Sequence, residues 1–203
     1  MSDARLFAGG LFAVGCAALA AFFLVETRAP AVAAEDTAGP NLVIEVAGAT
    51  SGRIVIDLRE DVAPRHVEQI TALAEAGAYD GVVFHRVIDG FMAQTGDVQF
   101  GRHGGDTGRA GMGGSDRPDL PAEFSDLSFE RGAVGMARAA DPNSANSQFF
   151  IMFAPAPHLN GQYTVVGAVI EGMDVVDSIR KGSSARNGAV DEPDRMESVT
   201  VER

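Results

Sequence analysis

From Asn41 onward the chain is cut into short apolar runs by turn residues at close intervals, and this punctuation constrains the fold most strongly. Leu42, Ile44 and Val46 alternate with polar or small residues, as do Ile54, Ile56 and Leu58, and residues 47–51 with Gly48 join the two runs as a β-hairpin. Residues 82–88 and 91–96 read as two further strands around Asp89-Gly90, a strong hairpin dipeptide. Residues 132–137, 148–153, 163–170 and 197–201 are strand-like as well. Only two segments have helical spacing. The first opens with Pro64, puts Val67, Ile70 and Ala74 on one face, and closes before Gly77. The second is 173–180, with Val175, Val176 and Ile179 apolar. Residues 100–123, rich in Gly, Asp and Pro, read as one long ordered loop packed around a groove, with Glu123-Phe124 beneath it. The 24 glycines fit a strand-and-turn architecture, and the expectation is a mainly β barrel flanked by two helices.

The N-terminus is of another kind. Residues 6–25 carry no charge, and as a helix they span about 30 Å, enough to cross a bilayer. Arg5 precedes them and Ala31-Val32-Ala33 fits the small-x-small rule of signal peptidase. Residues 1–25 are therefore expected to be a signal peptide or a hydrophobic membrane-anchoring helix: the length favours the anchor, the small-residue site favours cleavage. Residues 26–41 read as a linker and 42–203 as the folded domain, placed outside the cytoplasm, in the periplasm, in either case.

Charge and motifs exclude several functions. A net charge of −12, with Lys181 the only lysine, leaves no basic patch for nucleic acid. The single cysteine, Cys16, excludes an internal disulfide and any Cys-x-x-Cys site. His66, His85, His103 and His158 are not paired at metal-ligand spacing, so neither a metal nor a cofactor is expected. No P-loop, dinucleotide fingerprint or Gly-x-Ser-x-Gly elbow occurs. An activity that needs neither nucleophile nor cofactor gains weight accordingly.

The stretch FHRVIDGFMAQTGD, residues 84–97, sets a permanent cation in an apolar run. At a period of two, Phe84, Arg86 and Ile88 share one face, and Met92 and Gln94 share a face of the next strand. His85 falls on the opposite face and reads as structural. Alone, Arg86 is more often a snorkelling surface residue, and Phe91, Met92 and Phe150 more often plain core. Downstream, Ser147-Gln148 leads into Phe149-Phe150, with Gln148 and Phe150 on one face, before His158-Leu159 and Tyr163.

Taken together, residues 84–97, 135–153 and 158–167 resemble the cyclophilin-type peptidyl-prolyl cis-trans isomerases, and the resemblance runs from about Leu42 to Val201. Ala137-Arg138 and Tyr163 resemble the bacterial branch, Tyr163 standing where many eukaryotic members have histidine. The resemblance implies a closed eight-stranded antiparallel barrel capped by two helices, acting on the peptide bond before proline. It implies that Arg86 is the catalytic donor, with Gln94 and Phe91 beside it. Met92, Phe150 and Leu159 then wall the proline ring, and Gln148, Ala137, Arg138, His158 and Tyr163 complete the substrate groove. His158 stands where cytosolic eukaryotic members commonly carry the tryptophan that cyclosporin uses, so strong inhibition does not carry over. The expected partners are proline-containing polypeptides, the membrane only through an uncleaved N-terminus, and no second copy of the chain. A second class of function stays open, a chaperone module that holds proline segments with incidental turnover. Such a binder needs the apolar pocket but not Arg86 and Gln94.

Overall fold

The computed structural model describes residues 36–203. The apolar run of residues 6–25, with its expected helix and export signal, and most of the expected linker lie outside the described residues. Among the described residues no helix is long and apolar enough to cross a membrane.

Strands β1 (Asn41–Ala47) and β2 (Gly52–Leu58) form the expected antiparallel hairpin, paired from Asn41↔Asp57 to Val46↔Gly52. Their alternating Leu42, Ile44, Val46, Ile54, Ile56 and Leu58 all enter one interior core. Thr37, just ahead of β1, donates its backbone N–H and its hydroxyl to Asp57 Oδ1. Helix α1 (Pro64–Glu75) starts on its proline and buries Val67, Ile70 and Ala74 against that core. It has no side-chain cap of its own. Glu123 supplies one from the far end of the long loop, accepting the N–H groups of Arg65 and His66 and lying 2.6 Å from His66 Nδ1. Two of the helix's unpaired first-turn donors are thereby satisfied. Glu123 thus serves α1 rather than the groove, and Phe124 is left partly exposed.

The strand expected over 82–88 is split into β3 (Val82–Val83) and β4 (Arg86–Ile88). They are followed by β5 (Met92–Thr95), β6 (Ala133–Met136), β7 (Phe149–Met152), β8 (Val165–Glu171), helix α2 (Met173–Ser178) and β9 (Arg195–Glu202). All nine strands lie in one antiparallel sheet of order β3-β9-β1-β2-β8-β6-β7-β5-β4. Nine strands laid flat would separate the outer two by nearly 40 Å, at about 4.8 Å per neighbour. Yet β3 and β4 are joined through Phe84 and His85 alone, which reach only about 10 Å. The sheet must therefore curl until its edges approach. The count of nine, against the eight expected, follows from the break at Phe84-His85: β3 pairs with β9 while β4 pairs with β5.

The break also moves Phe84. Expected beside Arg86, it instead lies fully buried in the interior core with Val87. A second apolar cluster covers the other face of β5, β6, β7 and β8, built on Met92, Phe129, Phe150, Met152, Leu159 and Val165. Strand β7 shows how one sequence serves both: Phe149 and Ile151 point inward, Phe150 and Met152 outward. The cavity that holds the candidate site sits on this outer cluster.

The long loop is ordered around two polar hubs. Fully buried Asp97 accepts backbone N–H groups from Gln99 and Phe100 on Oδ1, and from Gly111 and Gly113 on Oδ2. Asn146 Oδ1 accepts from the Ser115 N–H and hydroxyl. His85 packs in the same region and is buried with both ring nitrogens unpartnered. Burial pushes its imidazole from 6.5 down to about 4, opposed by the charge of Asp97 and the nearby Val83 backbone and assisted by the charge of Arg86. The folded protein therefore keeps His85 neutral while the unfolded chain takes up a proton below about 6.5. This contribution to stability is complete above pH 6.5 and is lost progressively as pH falls to 4, roughly 3 kcal/mol in all. Denaturant unfolding at pH 7 and pH 4.5 tests it: the drop should be clearly smaller in His85→Phe, and equal drops would contradict it.

Candidate active site

Strands β4 and β5 place Arg86 directly across from Gln94, and the turn between them is tight because Gly90 adopts φ +69°. This register lets Arg86 Nη1 donate to Gln94 Oε1 at 3.2 Å. The chain of amides continues: Gln94 Nε2 donates to Gln148 Oε1 at 2.9 Å, and Gln148 Nε2 to the Gly113 carbonyl at 2.7 Å. Gly113 is in turn tied to Asp97. The arginine is thus braced, through two side-chain amides, by the polar hub of the long loop.

The apolar part comes from the neighbouring strand. Gln94 pairs with Phe150 of β7, and Phe150 with Gly135 of β6. A Cβ on Gly135 would stand 2.5 Å from Phe129 and 2.6 Å from Phe150. Only glycine there lets those two rings stack at 5.6 Å. The Phe150 ring also meets the Tyr163 ring edge-on at 5.9 Å. Arg138 lies over the Tyr163 ring at 4.3 Å and donates to the carbonyls of Ala139 and Gln162. Leu159 closes the cup from a short 3₁₀ turn, Pro157–Leu159.

The result is a cavity of about 190 Å³ lined by Arg86, Phe91, Met92, Gln94, Ala137, Arg138, Phe150, Leu159 and Tyr163. Two of the residues expected at the site adjoin this cavity without lining it. Gln148 lines an adjoining depression with Met112, Gly113 and Asn146, which shares Gln94, Ala137 and Arg138 with the first. His158 is exposed and does not line the cavity itself, but its ring stacks at 5.8 Å on Phe91, which does. Residues that the sequence reading did not single out also shape the site: Gly135, Phe129, Gly113 and Asn187. Asn187 accepts from Arg86 twice, on its carbonyl and on Oδ1, each at 3.1 Å. Asn187-Gly188 is a turn dipeptide, the one signal in the sequence that marks it.

Burial pulls the Arg86 guanidinium below its ordinary pKa, an effect opposed by Tyr163. It stays a cation at any physiological pH, as arginine does. Its partners Gln94, Met92 and Asn187 are all neutral, so no carboxylate cancels the charge among them. Of its five N–H donors, three make good bonds, and one Nη1 hydrogen faces the Met92 sulfur at a long 3.7 Å. Nη2 keeps one donor free. A fixed, uncancelled donor beside a small apolar cup can bind a ring and present a hydrogen bond to an atom at its edge.

Known proteins resemble this chain in sequence and in fold. The family model for cyclophilin type peptidyl-prolyl cis-trans isomerases matches residues 42–201. A probable peptidyl-prolyl cis-trans isomerase of Brucella suis biovar 1 is 56% identical over 187 residues, covering 91% of this chain and 95% of the relative. The peptidyl-prolyl cis-trans isomerase CYP18-1 of Arabidopsis thaliana is 39% identical, covering 74% of this chain and 90% of its own length. Among solved structures, a cyclophilin type isomerase of Cryptosporidium parvum, crystallised in the presence of the dipeptide Ala-Pro, superposes with a TM-score of 0.67 at 25% identity. That match covers 80% of this chain and 99% of the other. A family match running from the first core residue of β1 into the last strand, with a relative of nearly equal extent, is decisive: this chain belongs to the family of cyclophilin-type peptidyl-prolyl cis-trans isomerases.

Proposed function

We propose that this isomerase turns X-Pro bonds in exported proteins, with Arg86 as the donor that stabilises the twisted amide. The planar peptide bond resists rotation by about 20 kcal/mol, and the uncatalysed event takes about 10–100 s. At the twisted transition state the amide resonance is lost and the proline nitrogen regains a lone pair. A donor aimed at that nitrogen binds the twisted form better than the planar one, and only such differential binding raises the rate. The observation that carries the reading is the Arg86 guanidinium, held by neutral partners with a donor to spare at the rim of an apolar cup. Because it is already in place and charged, little reorganisation is needed as rotation proceeds.

In this reading Phe91, Met92, Phe150 and Leu159 receive the proline ring, Tyr163 and His158 complete the rim, and Gln94 orients the arginine and the substrate backbone. Gln148, Ala137 and Arg138 guide the chain preceding proline. The Ala-Pro dipeptide named with the Cryptosporidium structure supports proline-containing peptides as substrates here. Ala137-Arg138, Tyr163 and the Brucella relative support the bacterial branch. Counting β3 and β4 as one interrupted strand makes the curled sheet a closed eight-stranded barrel. Residues 1–25 direct the chain out of the cytoplasm, residues 26–41 link them to the isomerase domain, and the domain works as a monomer. Retention of both Arg86 and Gln94 favours an enzyme over a pure proline-segment binder.

Two measurements test this. Purified protein should accelerate cis-to-trans conversion of an Ala-Pro peptide in proportion to its concentration, and no acceleration would overturn the catalytic reading. In cells, fractionation should recover the protein outside the cytoplasm, and a cytoplasmic, full-length product would overturn export. A mature start near Ala34 identifies cleavage, while an intact N-terminus in the membrane fraction identifies the anchor.

A further inference from the structure

We infer that Asn187 is the residue that positions the catalytic guanidinium, an inference that rests on reading Arg86 as the rate-determining donor. An arginine side chain has several rotatable bonds, and a donor left to wander spends little time aimed at the proline nitrogen. Gln94 restrains Arg86 only through Nη1. Asn187 holds the opposite edge of the fork: Nε donates to its carbonyl and Nη2 to its Oδ1, both at 3.1 Å. Two parallel bonds on one edge fix the plane of the guanidinium, which a single bond cannot do.

The backbone is arranged for this grip. Asn187 follows a 3₁₀ turn, Ser184–Arg186, and adopts φ 53°, ψ 37°. Among the described residues it is the only non-glycine with positive φ. A left-handed conformation is unfavourable for most side chains and tolerated by asparagine. Here it turns the residue's own carbonyl and its amide oxygen toward the same side chain. The loop does not depend on that amide for its shape. The Val87 N–H donates to the Gly188 carbonyl at 2.8 Å, the Gly182 N–H to the Val87 carbonyl at 2.9 Å, and the Val190 N–H to the His85 carbonyl at 3.2 Å. These bonds lay the loop along the open edge of β4. Asn187 lines neither depression of the site, so it acts on substrate through Arg86.

The test separates positioning from folding. Asn187→Gly allows the left-handed backbone, keeps the carbonyl acceptor and removes the side chain that carries Oδ1. Turnover of an Ala-Pro peptide should fall about five- to tenfold, with KM and the unfolding midpoint close to wild type. Asn187→Asp restores an acceptor at that place, but as a carboxylate that offsets the Arg86 charge, and should recover only part of the loss. In an Arg86→Ala background, Asn187→Gly should have no further effect, because the group it positions is gone. A wild-type kcat for Asn187→Gly, beside a crippled Arg86→Ala, overturns the inference alone. So does a loss that tracks a lowered unfolding midpoint, or one that persists in the Arg86→Ala background. Full activity of Arg86→Ala overturns instead the reading of Arg86 on which the inference rests.

Discussion

Replacing Arg86 by alanine is expected to slow isomerisation of an Ala-Pro peptide by about 10²–10³-fold, the usual cost of losing one preorganised transition-state donor. That corresponds to about 3–4 kcal/mol, a modest part of the barrier of about 20 kcal/mol to amide rotation. The fold should survive. Arg86 lies at the rim, its ladder bonds on β4 are made by the main chain, and Gln94 keeps its bond to Gln148. Affinity for the peptide should change little, because the cup proposed to receive the ring is lined by Phe91, Met92, Phe150 and Leu159, all of which remain. Arg86→Lys keeps the charge but not the fork, so it cannot reproduce the side-on bonds to Asn187 and should recover only a small part of the rate. A peptide assay with each variant, alongside circular dichroism, checks both halves of this expectation.

The largest effect on stability is expected at Asp97. Its carboxylate is fully buried and satisfies four backbone N–H groups, from Gln99, Phe100, Gly111 and Gly113. Asp97→Ala leaves all four donors without their shared buried acceptor, and stability should fall by about 3 kcal/mol. Asp97→Asn should also destabilise, because its NH₂ replaces one acceptor and faces two of those N–H donors. The damage should extend to the site: a released Gly113 loosens its grip on Gln148, and Gln148 its grip on Gln94. Denaturant unfolding measures the first effect. Peptide turnover under conditions where the variant is still folded measures the second.

Local pattern made much of this legible. The hairpin of β1 and β2 follows from alternating β-branched and aliphatic residues, and α1 from one apolar stripe behind a proline. Arg86 opposite Gln94 follows from the Asp89-Gly90 turn, whose two residues set the register. The parts that were not legible depend on distant pairings. Nothing near Phe84 announces that the strand on one side of it pairs with β9 and the strand on the other with β5, so its parity relative to Arg86 was misjudged. The capping role of Glu123 is not legible because its partner, the start of α1, lies 57 positions away. Asn187 reaches Arg86 across 101 positions. The turn at Asn187-Gly188 was visible in the sequence, but not where it would fold.

The central claim is that Arg86 accelerates rotation of a bound peptide rather than tightening its binding. Exchange spectroscopy on one Ala-Pro peptide, saturated in turn with wild-type and Arg86→Ala protein, tests that most directly. The prediction is cis–trans exchange on wild-type protein far faster than in free peptide, and exchange on Arg86→Ala slowed by about 10²–10³-fold at similar affinity. Equal exchange rates on the two proteins would contradict it.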